Sequence, residues 1–267
     1  MSYRFMSNKT GSEHDECQWS SRDLEGELLA FNGRTLRTIF DKYIAYKQAN
    51  IIEAGCGLGG WCEWFKRKGA QVVGIEYCEH VVLKAKSFKP DIPVELGDVT
   101  NLNYDDGTFD VYVSLGVIEH FEHGPALAID EAHRVLKPDG IAIFTVPVLT
   151  PFRRFVVHPI RDLYFILKKM RGDQVYFWEY RYSRKELSEY LINSGFEILE
   201  EGVDDYDESY THRHMGLWAD WFFLRDNKDI WGLNAFGRVA LQGLKMLFPR
   251  TWYCAGWVVV VRATKTS

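Results

Sequence analysis

A short glycine-rich run early in the chain carries the strongest chemical signal. It reads Glu53-Ala-Gly55-Cys56-Gly57-Leu-Gly59-Gly60 and lies between a predicted strand and a predicted helix. Glycines let a ligand approach the backbone closely, and the first N–H groups of the helix can bind a carboxylate or a phosphate. Gly55, Gly57 and Gly60 also satisfy the Gly-x-Gly-x-x-Gly dinucleotide pattern. The run alone therefore leaves both ligand classes open.

Three carboxylates around this run favour one of them. Glu53 precedes the first glycine by two residues, where an anion repels a pyrophosphate but can hold an ammonium group. Glu76 ends the next predicted strand and can accept from both hydroxyls of a ribose. Asp98 ends the third and can accept from an adenine amino group. An ammonium, a ribose and an adenine together indicate S-adenosylmethionine as the cofactor.

Further motifs follow in a fixed order after the glycine run. With them, the chain resembles the class I S-adenosylmethionine-dependent methyltransferases, and is most similar to the ubiquinone/menaquinone-biosynthesis (type 11) group. The resemblance covers roughly residues 50–147, 183–201 and 256–263. The segments that carry it are Glu53–Gly60, Gly74–Glu76, Gly97–Val99, Phe109–Phe121 and His133–Gly140.

The resemblance also implies roles for individual residues. Gly55, Gly57 and Gly59 would line the methionine part of the cofactor, and the backbone at Leu115 and Gly116 would lie near its methyl group. Glu76 would bind the ribose and Asp98 the adenine. Cys56, between two glycines, is interpreted as a space-filling residue rather than a nucleophile. The complete predicted cofactor set is Glu53, Gly55, Cys56, Gly57, Gly59, Glu76, Tyr77, Asp98, Val99, Leu115, Gly116 and His120.

Short strands alternating with helices predict the element order that must position these residues. Such alternation is typical of a parallel sheet covered on both faces. We expect an α/β, Rossmann-like sheet of seven mostly parallel strands, with the last strand antiparallel as the resemblance implies. The predicted segments are an N-terminal helical part (1–48), the cofactor-binding core (49–149), a lid insertion (150–182), a core continuation (183–201), a second lid insertion (202–254) and a final strand with tail (255–267).

More local expectations accompany this division. The first 15 residues are polar and expected to be mobile, residues 24–46 have helix-like spacing, and residues 138–140 form a turn before a strand. Ser183, with Glu186 three residues later, predicts a capping box at a helix start. The predicted strands are 50–54, 71–76, 93–96, 110–115, 141–146, 196–200 and 256–263, and the predicted core helices are 60–68, 79–86, 125–136 and 183–194.

Candidate catalytic residues follow from the chemistry of methyl transfer. An acceptor hydroxyl must lose a proton, and histidine suits that task near neutral pH. His120 lies just after the fourth core strand and is the sharper candidate, although it could instead shape the cofactor pocket. Tyr180 in the first insertion could orient an acceptor hydroxyl. His158, Tyr176, Trp178 and Tyr182 of that insertion are predicted to bind the acceptor, with packing of the lid as the alternative for the aromatic residues.

Aromatic residues are concentrated in the part of the chain that holds both insertions. Of 40 aromatic residues, 23 lie in residues 151–267 and only 10 in residues 51–150. This distribution predicts an aromatic, partly basic lid over an apolar substrate pocket.

Two apolar, basic stretches, 152–171 and 236–250, stand out within the insertions. Basic amphipathic helices can lie in a membrane interface. They can equally be lid helices that pack their apolar faces onto the domain, and this interpretation is favoured. On the membrane alternative, the acceptor would be a lipid, a quinone precursor or a lipid-linked sugar.

The composition limits the classes of binding partner and the cellular compartment that we expect for this protein. The net charge of −5 disfavours nucleic acid, and no apolar run approaches the roughly 18–20 residues of a membrane span. The N-terminus lacks a secretory hydrophobic region, and the five cysteines (17, 56, 62, 78 and 254) contain no Cys-x-x-Cys pair. We expect free thiols in the cytoplasm. His212 and His214 are expected in an exposed loop, so no metal is predicted, and the sequence leaves the oligomeric state open.

Together these features predict a methyltransferase that uses S-adenosylmethionine. Its acceptor is expected to be a small, apolar or aromatic molecule methylated on oxygen or nitrogen. Two alternatives stay open at this point. One is a nicotinamide-dependent oxidoreductase, favoured only by the glycine spacing. The other is a domain that binds the cofactor without catalysis and acts through a partner.

Overall fold

A seven-stranded sheet forms the centre of the structure, a computed structural model that describes residues 2–7, 9–10, 19, 22–226 and 228–264. Its strand order is β4-β3-β2-β5-β6-β9-β8, and only β9 runs antiparallel to its neighbours. A separate two-stranded sheet pairs β1 with β7. The strands are β1 (Tyr3–Ser7), β2 (Asn50–Ala54), β3 (Gln71–Glu76), β4 (Val94–Leu96), β5 (Phe109–Leu115), β6 (Leu136–Pro147), β7 (Tyr176–Arg181), β8 (Phe196–Asp204) and β9 (Gly256–Ala263).

Helices cover both faces of the large sheet. Ser183 caps one of them with the predicted capping box: its hydroxyl accepts from the Glu186 amide, and the Glu186 carboxylate accepts from the Ser183 amide. The α-helices are α1 (Leu24–Ala30), α2 (Leu36–Tyr43), α3 (Gly60–Arg67), α4 (Glu79–Phe88), α5 (Ala126–Val135), α6 (His158–Met170), α7 (Arg184–Asn193), α8 (Met215–Asp220) and α9 (Ala235–Leu247). Within the described residues, no helix has the length and apolarity needed to cross a membrane.

Alternating side chains of the central strands fill two cores, one on each face of the sheet. Ile52, Tyr112 and Phe144 point to the face covered by α5 and α7. Their strand neighbours Ile51 and Val113 point to the face covered by α2 and α3. Because both faces are buried, these strands are almost continuously apolar, which explains why their positions are readable in the sequence.

The predicted fold class is confirmed. The predicted core strands lie within a few residues of their observed bounds, and 50–54, 71–76 and 256–263 match exactly. The predicted turn at 138–140 does not precede a separate strand. It lies inside β6, where Asp139 has φ 64° and the pairing with β5 shifts register.

Residues 24–46 are largely helical as predicted but are divided between two helices, and one other expectation about the N-terminal part is wrong. Residues 24–46 do not form one helix, because the chain turns at Gly33 with φ 81° between α1 and α2. The N-terminal part was expected to be helical, with its first 15 residues mobile. Tyr3–Ser7 instead forms β1, which pairs with β7 some 170 residues later. Cys17 and residues 11–16 lie outside the described residues. Cys56, Cys62, Cys78 and Cys254 are free thiols, as expected.

A buried ion network joins the two insertions. Asp220 of α8 lies 2.8 Å from Arg153 and 2.7 Å from Arg181, and all three side chains are at most 4% exposed. Arg153 also donates to the backbone oxygens of Val148 and Ala255. Burial alone would raise the pKa of Asp220, but the two guanidinium groups outweigh it and lower the pKa to about 2. The network therefore holds both insertions against the end of the sheet.

Replacing Asp220 with asparagine should destabilise the fold by about 3–5 kcal/mol, because two buried guanidinium groups lose their counter-charge. Since the folded-state pKa is depressed, the contribution of Asp220 is complete above about pH 4 and is lost as the pH falls through about 2. The measurement is the free energy of unfolding by urea. Asp173→Asn, in an exposed pair 3.6 Å from Lys168, is the matched control and should cost less than about 1 kcal/mol. Equal losses in the two variants would refute the role of the network.

Candidate cofactor and acceptor site

The glycine run forms a tight loop between β2 and α3. Gly55, Gly57 and Gly59 have φ of 75°, 55° and 77°, a conformation that favours glycine. A Cβ atom at Gly57 would lie 2.2 Å from the indole of Trp19, and one at Gly55 would lie 2.4 Å from Val117. The side chains of Trp19 and Val117 therefore pack directly against the glycine backbone of this loop, where no larger residue would fit.

Glu76, at the end of β3, fastens this loop. Its carboxylate is 5% exposed and accepts hydrogen bonds of 3.0 Å from the backbone amides of Gly57 and Cys78. The loop conformation thus depends on a carboxylate from the neighbouring strand, at the edge where the parallel strands end.

Glu53 lies one strand away and is 3% exposed. The thiol of Cys62, on α3, donates to its carboxylate at 2.9 Å. Burial raises the pKa of Glu53 to about 8, and the nearby Glu27 and Glu76 add to the rise. Burial also raises the pKa values of the Cys56 and Cys62 thiols, so neither is an activated nucleophile. This agrees with the interpretation of Cys56 as a space-filling residue.

A third buried carboxylate, Glu27, was missed by the sequence reasoning. It comes from α1, is 8% exposed, and lies 3.8 Å from Arg22. A Cβ atom at Gly60 would lie 2.8 Å from its Oε2, which places the carboxylate at the start of α3. Burial raises the pKa of Glu27 to about 7. The sequence did carry a signal for this residue, because Glu27 shares the apolar face of its helix with Leu24 and Phe31, where an acidic side chain is unusual.

These three carboxylates decide which cofactor the loop fits. Glu27, Glu53 and Glu76 surround one glycine loop at low exposure. A pyrophosphate would bring further negative charge to buried acids whose pKa values are already raised, so a dinucleotide fits poorly. A ligand with a cationic end would instead favour their ionised forms and pair with them. The residues present fit S-adenosylmethionine, which carries an ammonium and a sulfonium.

The predicted adenine side has a different character. Asp98 is exposed, and its Oδ1 accepts from the backbone amide and the hydroxyl of Thr100 at 2.8 and 2.7 Å. It therefore caps the turn after β4, and the proposed contact with adenine stays a prediction. Tyr77 is 66% exposed at the end of β3, whereas the side chain of Val99 is buried in the core.

Leu115 ends β5 and Gly116 follows it, beside the loop. Gly116 has φ 73° and donates its amide to Thr145 of β6 at 3.0 Å. A Cβ atom there would lie 3.5 Å from Glu119, so the two residues face each other. The short 3₁₀ turn that follows (Ile118–His120) places Glu119 and His120 directly after this strand end.

His120 is an exposed side chain with one ring nitrogen engaged. Its Nδ1 lies 2.8 Å from the backbone oxygen of Trp178, and its ring packs edge-on against the Trp178 indole at 4.7 Å between centroids. A carbonyl oxygen can only accept, so Nδ1 carries the proton and donates it. In the neutral imidazole, Nε2 is then the nitrogen with a lone pair. The insertion thus fixes the tautomer that a general base requires.

Glu119 and Glu179 add carboxylates beside His120. Glu119 is 2% exposed, its Oε2 has no hydrogen-bond partner among the described residues, and burial raises its pKa well above the usual range. One ligand atom from each of Glu119, His120 and Glu179 lies within 4.8 Å of the others, so the cluster could hold a cation. Glu179 is already paired with Arg181 at 3.1 Å. The expectation that the site needs no metal stays a prediction.

The other predicted substrate residues are distributed around β7. The Tyr180 hydroxyl donates to the Glu122 backbone oxygen at 3.1 Å, and the Tyr176 hydroxyl donates to Gln174. Trp178 contacts His120 directly. Tyr182 is 2% exposed, and its hydroxyl has no hydrogen-bond partner among the described residues. Trp178 is therefore the predicted substrate residue that the structure brings closest to the catalytic candidate.

His158 lies in the buried network and not beside His120. Its ring stacks on Tyr3 at 3.5 Å, and its Nε2 accepts from Arg181 at 3.2 Å. Burial and then Arg181 lower its pKa to about 3. The expected exposed loop at 212–214 is also wrong for His214, which is 5% exposed, caps α8 and lies 3.3 Å from Asp205. His214 is buried because its Nδ1 accepts a hydrogen bond from the Leu217 amide in the first turn of α8.

The comparisons with known proteins concern the cofactor-binding core. Residues 52–144 match the family model described as "Methyltransferase domain". The chain is 32% identical over 137 residues to the demethylmenaquinone methyltransferase of Renibacterium salmoninarum, covering 49% of this chain and 57% of the relative. It is 31% identical over 116 residues to the norajmaline N-methyltransferase of Rauvolfia serpentina, covering 35% and 40%. The chain spans about half the length of the curated relatives it matches.

Solved structures show the same fold. A crystal structure of a SAM-dependent methyltransferase from Methanosarcina mazei superposes with a TM-score of 0.58 at 18% identity, over 85% of this chain and 98% of the other. The fold is thus that of the class I methyltransferases. Over this core the chain is similar to S-adenosylmethionine-dependent methyltransferases, the demethylmenaquinone methyltransferases among them, and these relatives imply S-adenosylmethionine as the cofactor.

Proposed function

We propose that this protein transfers a methyl group from S-adenosylmethionine to an oxygen or nitrogen atom of a small, apolar or aromatic acceptor. The observation that carries the proposal is the set of three buried carboxylates, Glu27, Glu53 and Glu76, around the glycine loop. When bound, S-adenosylmethionine supplies a methyl group on a sulfonium, a reaction that needs positioning and exclusion of water more than covalent help from the protein.

The chain's own residues divide the work in this proposal. Glu53 holds the ammonium end of the cofactor, Glu76 the ribose and Asp98 the adenine. Gly55, Gly57 and Gly59 allow the close approach of the methionine part. Leu115 and Gly116 lie at the strand end beside the reacting centre.

The proton of the acceptor goes to His120 in this proposal. Its Nδ1–H is held by the Trp178 carbonyl, so Nε2 is the atom that receives the proton. Trp178 also offers an aromatic surface to an apolar acceptor. Tyr180 is a positioning residue, because its hydroxyl ties β7 to the loop that follows His120.

Formation of S-adenosylhomocysteine tests the activity. The purified chain is incubated with S-adenosylmethionine and a panel of phenols, catechols, quinols and amines, and the product is measured by mass spectrometry. We expect turnover with at least one apolar or aromatic acceptor. Tight cofactor binding with no product across the panel would instead support the alternative of a domain that binds cofactor without catalysis.

Cofactor binding should release a proton, because Glu53 is mostly protonated in the free protein near pH 7 and must ionise beside an ammonium. Calorimetric titrations in buffers of different ionisation enthalpy measure the number of protons released. We expect up to about one per cofactor at pH 7, and less above pH 8, where Glu53 is already ionised. Glu53→Gln should lower this number. Equal proton release in the wild type and Glu53→Gln would remove Glu53 from the ammonium site.

A further inference from the structure

The outward face of α6 is apolar, where a surface helix is normally polar. Phe155 is 74% exposed in the π-helical turn that precedes α6, and Met170 is 78% exposed at the end of α6. At 3.6 residues per turn, the exposed apolar positions cover roughly half of the helix circumference. These positions are Phe155, Val156, Ile160, Leu163, Tyr164, Ile166, Leu167 and Met170.

The inner face of the same helix carries its buried polar groups. His158 accepts from Arg181, and Arg161 lies 3.7 Å above the Phe5 ring and donates to the Met6 backbone oxygen. Val157 and Phe165 are buried on the same side, so a mixed polar and apolar face packs inward while most of the apolar side chains are exposed. The expectation that this stretch packs its apolar face onto the domain is wrong for α6.

A second apolar surface lies on α9 and the turn at 222–224. Phe222 is 79% exposed and Met246 is 85% exposed. Gly243 lies on the same side of the helix as Val239 and Met246, and a Cβ atom there would meet nothing within 4 Å. The inner side of α9 packs through Leu241 into a cluster that also contacts Phe152, just before α6. The exposed residues of this second surface are Phe222, Phe223, Phe236, Val239, Met246 and Leu247.

Positive charge accompanies both surfaces. Residues 150–171 and 235–250 together contain nine Lys and Arg and one Asp, in a chain whose net charge is −5. Arg153 is buried against Asp220 and Arg161 lies on the inner face of α6, so these two do not contribute to the outer surfaces. Arg154, Lys169, Arg171 and Arg238 are exposed. Large exposed apolar side chains among cations are complementary to an anionic lipid interface, where apolar groups enter the acyl boundary and cations meet phosphates.

We propose that the outer faces of α6 and α9, with Phe222 and Phe223, bind the surface of a bilayer that contains anionic lipids. Each helix has 13 residues, fewer than the roughly 20 needed to span a bilayer, so each lies in the plane of the interface. The proposal stands on exposure and charge alone and does not depend on methyl transfer.

Co-sedimentation of the full chain with lipid vesicles tests this proposal. The probes are vesicles of phosphatidylcholine alone and of phosphatidylcholine with about one third phosphatidylglycerol. We expect binding to the anionic vesicles that weakens as salt is raised. The double variant Leu163→Glu/Leu167→Glu should bind at least about tenfold more weakly, because two apolar contacts become charged. Lys169→Glu/Arg171→Glu should abolish the preference for anionic lipid.

Leu127→Glu is the matched control, since Leu127 is 71% exposed on α5, outside both surfaces. It should bind vesicles as the wild type does, and all variants should keep the wild-type melting temperature because every replaced side chain faces solvent. Equal vesicle binding by the wild type and the α6 variant, or no binding at all, would overturn the proposal. Self-association that the α6 substitutions abolish, without vesicle binding, would overturn it too and assign the face to a second copy of the chain.

Discussion

Replacing Glu76 with alanine should weaken S-adenosylmethionine binding by about 10–100-fold. A carboxylate that accepts from hydroxyl groups in a buried site contributes roughly 1.5–3 kcal/mol per hydrogen bond, and Glu76 is 5% exposed. The variant also leaves the amides of Gly57 and Cys78 without their acceptor, so the loop itself loses its fastening. Isothermal titration calorimetry with the cofactor measures the change.

Glu79→Ala is the control for Glu76→Ala, because Glu79 lies three residues later on the exposed first turn of α4. It should bind the cofactor as the wild type does. Glu76→Gln keeps one acceptor oxygen, so its cofactor affinity should lie between those of Glu76→Ala and the wild type. Unchanged affinity in Glu76→Ala would remove Glu76 from the cofactor site.

Replacing His120 with asparagine should lower turnover by about 10²–10⁴-fold while leaving cofactor affinity nearly unchanged. The asparagine amide can still donate to the Trp178 carbonyl in place of Nδ1–H, but it offers no basic nitrogen in place of Nε2. The loss should be largest for acceptors that bind protonated. It should shrink for acceptors that are already ionised at the assay pH.

Steady-state turnover across acceptors of different acidity provides the readout for His120. His123→Asn is the control, since His123 is an exposed residue of the same loop. A uniform loss for all acceptors would make His120 a positioning residue. An unchanged rate in His120→Asn would exclude it as the proton acceptor.

The sheet and the loop were predictable because their signals are local. A parallel strand buried on both faces is a short apolar run, and in β2 that run ends at glycines whose positive φ values the loop needs. Ser183 and Glu186 fixed the start of α7 within one turn of chain. Such features depend on neighbouring residues only, so periodicity and capping rules find them.

The elements that sequence reasoning missed depend on distant parts of the chain. β1 exists because it pairs with β7, and Tyr3 stacks on His158. The spacing of α6 revealed an apolar face, but periodicity cannot say whether that face points inward or outward. Glu27 and Glu119 became candidates only through burial, which tertiary packing creates.

Titration of the purified protein with S-adenosylmethionine and, separately, with NAD is the most direct test of the central claim. The claim is that buried carboxylates at the glycine loop select a cationic cofactor. We predict saturable heat with S-adenosylmethionine, with affinity in the micromolar range, and none with NAD. Saturable binding of NAD together with no binding of S-adenosylmethionine would contradict this account.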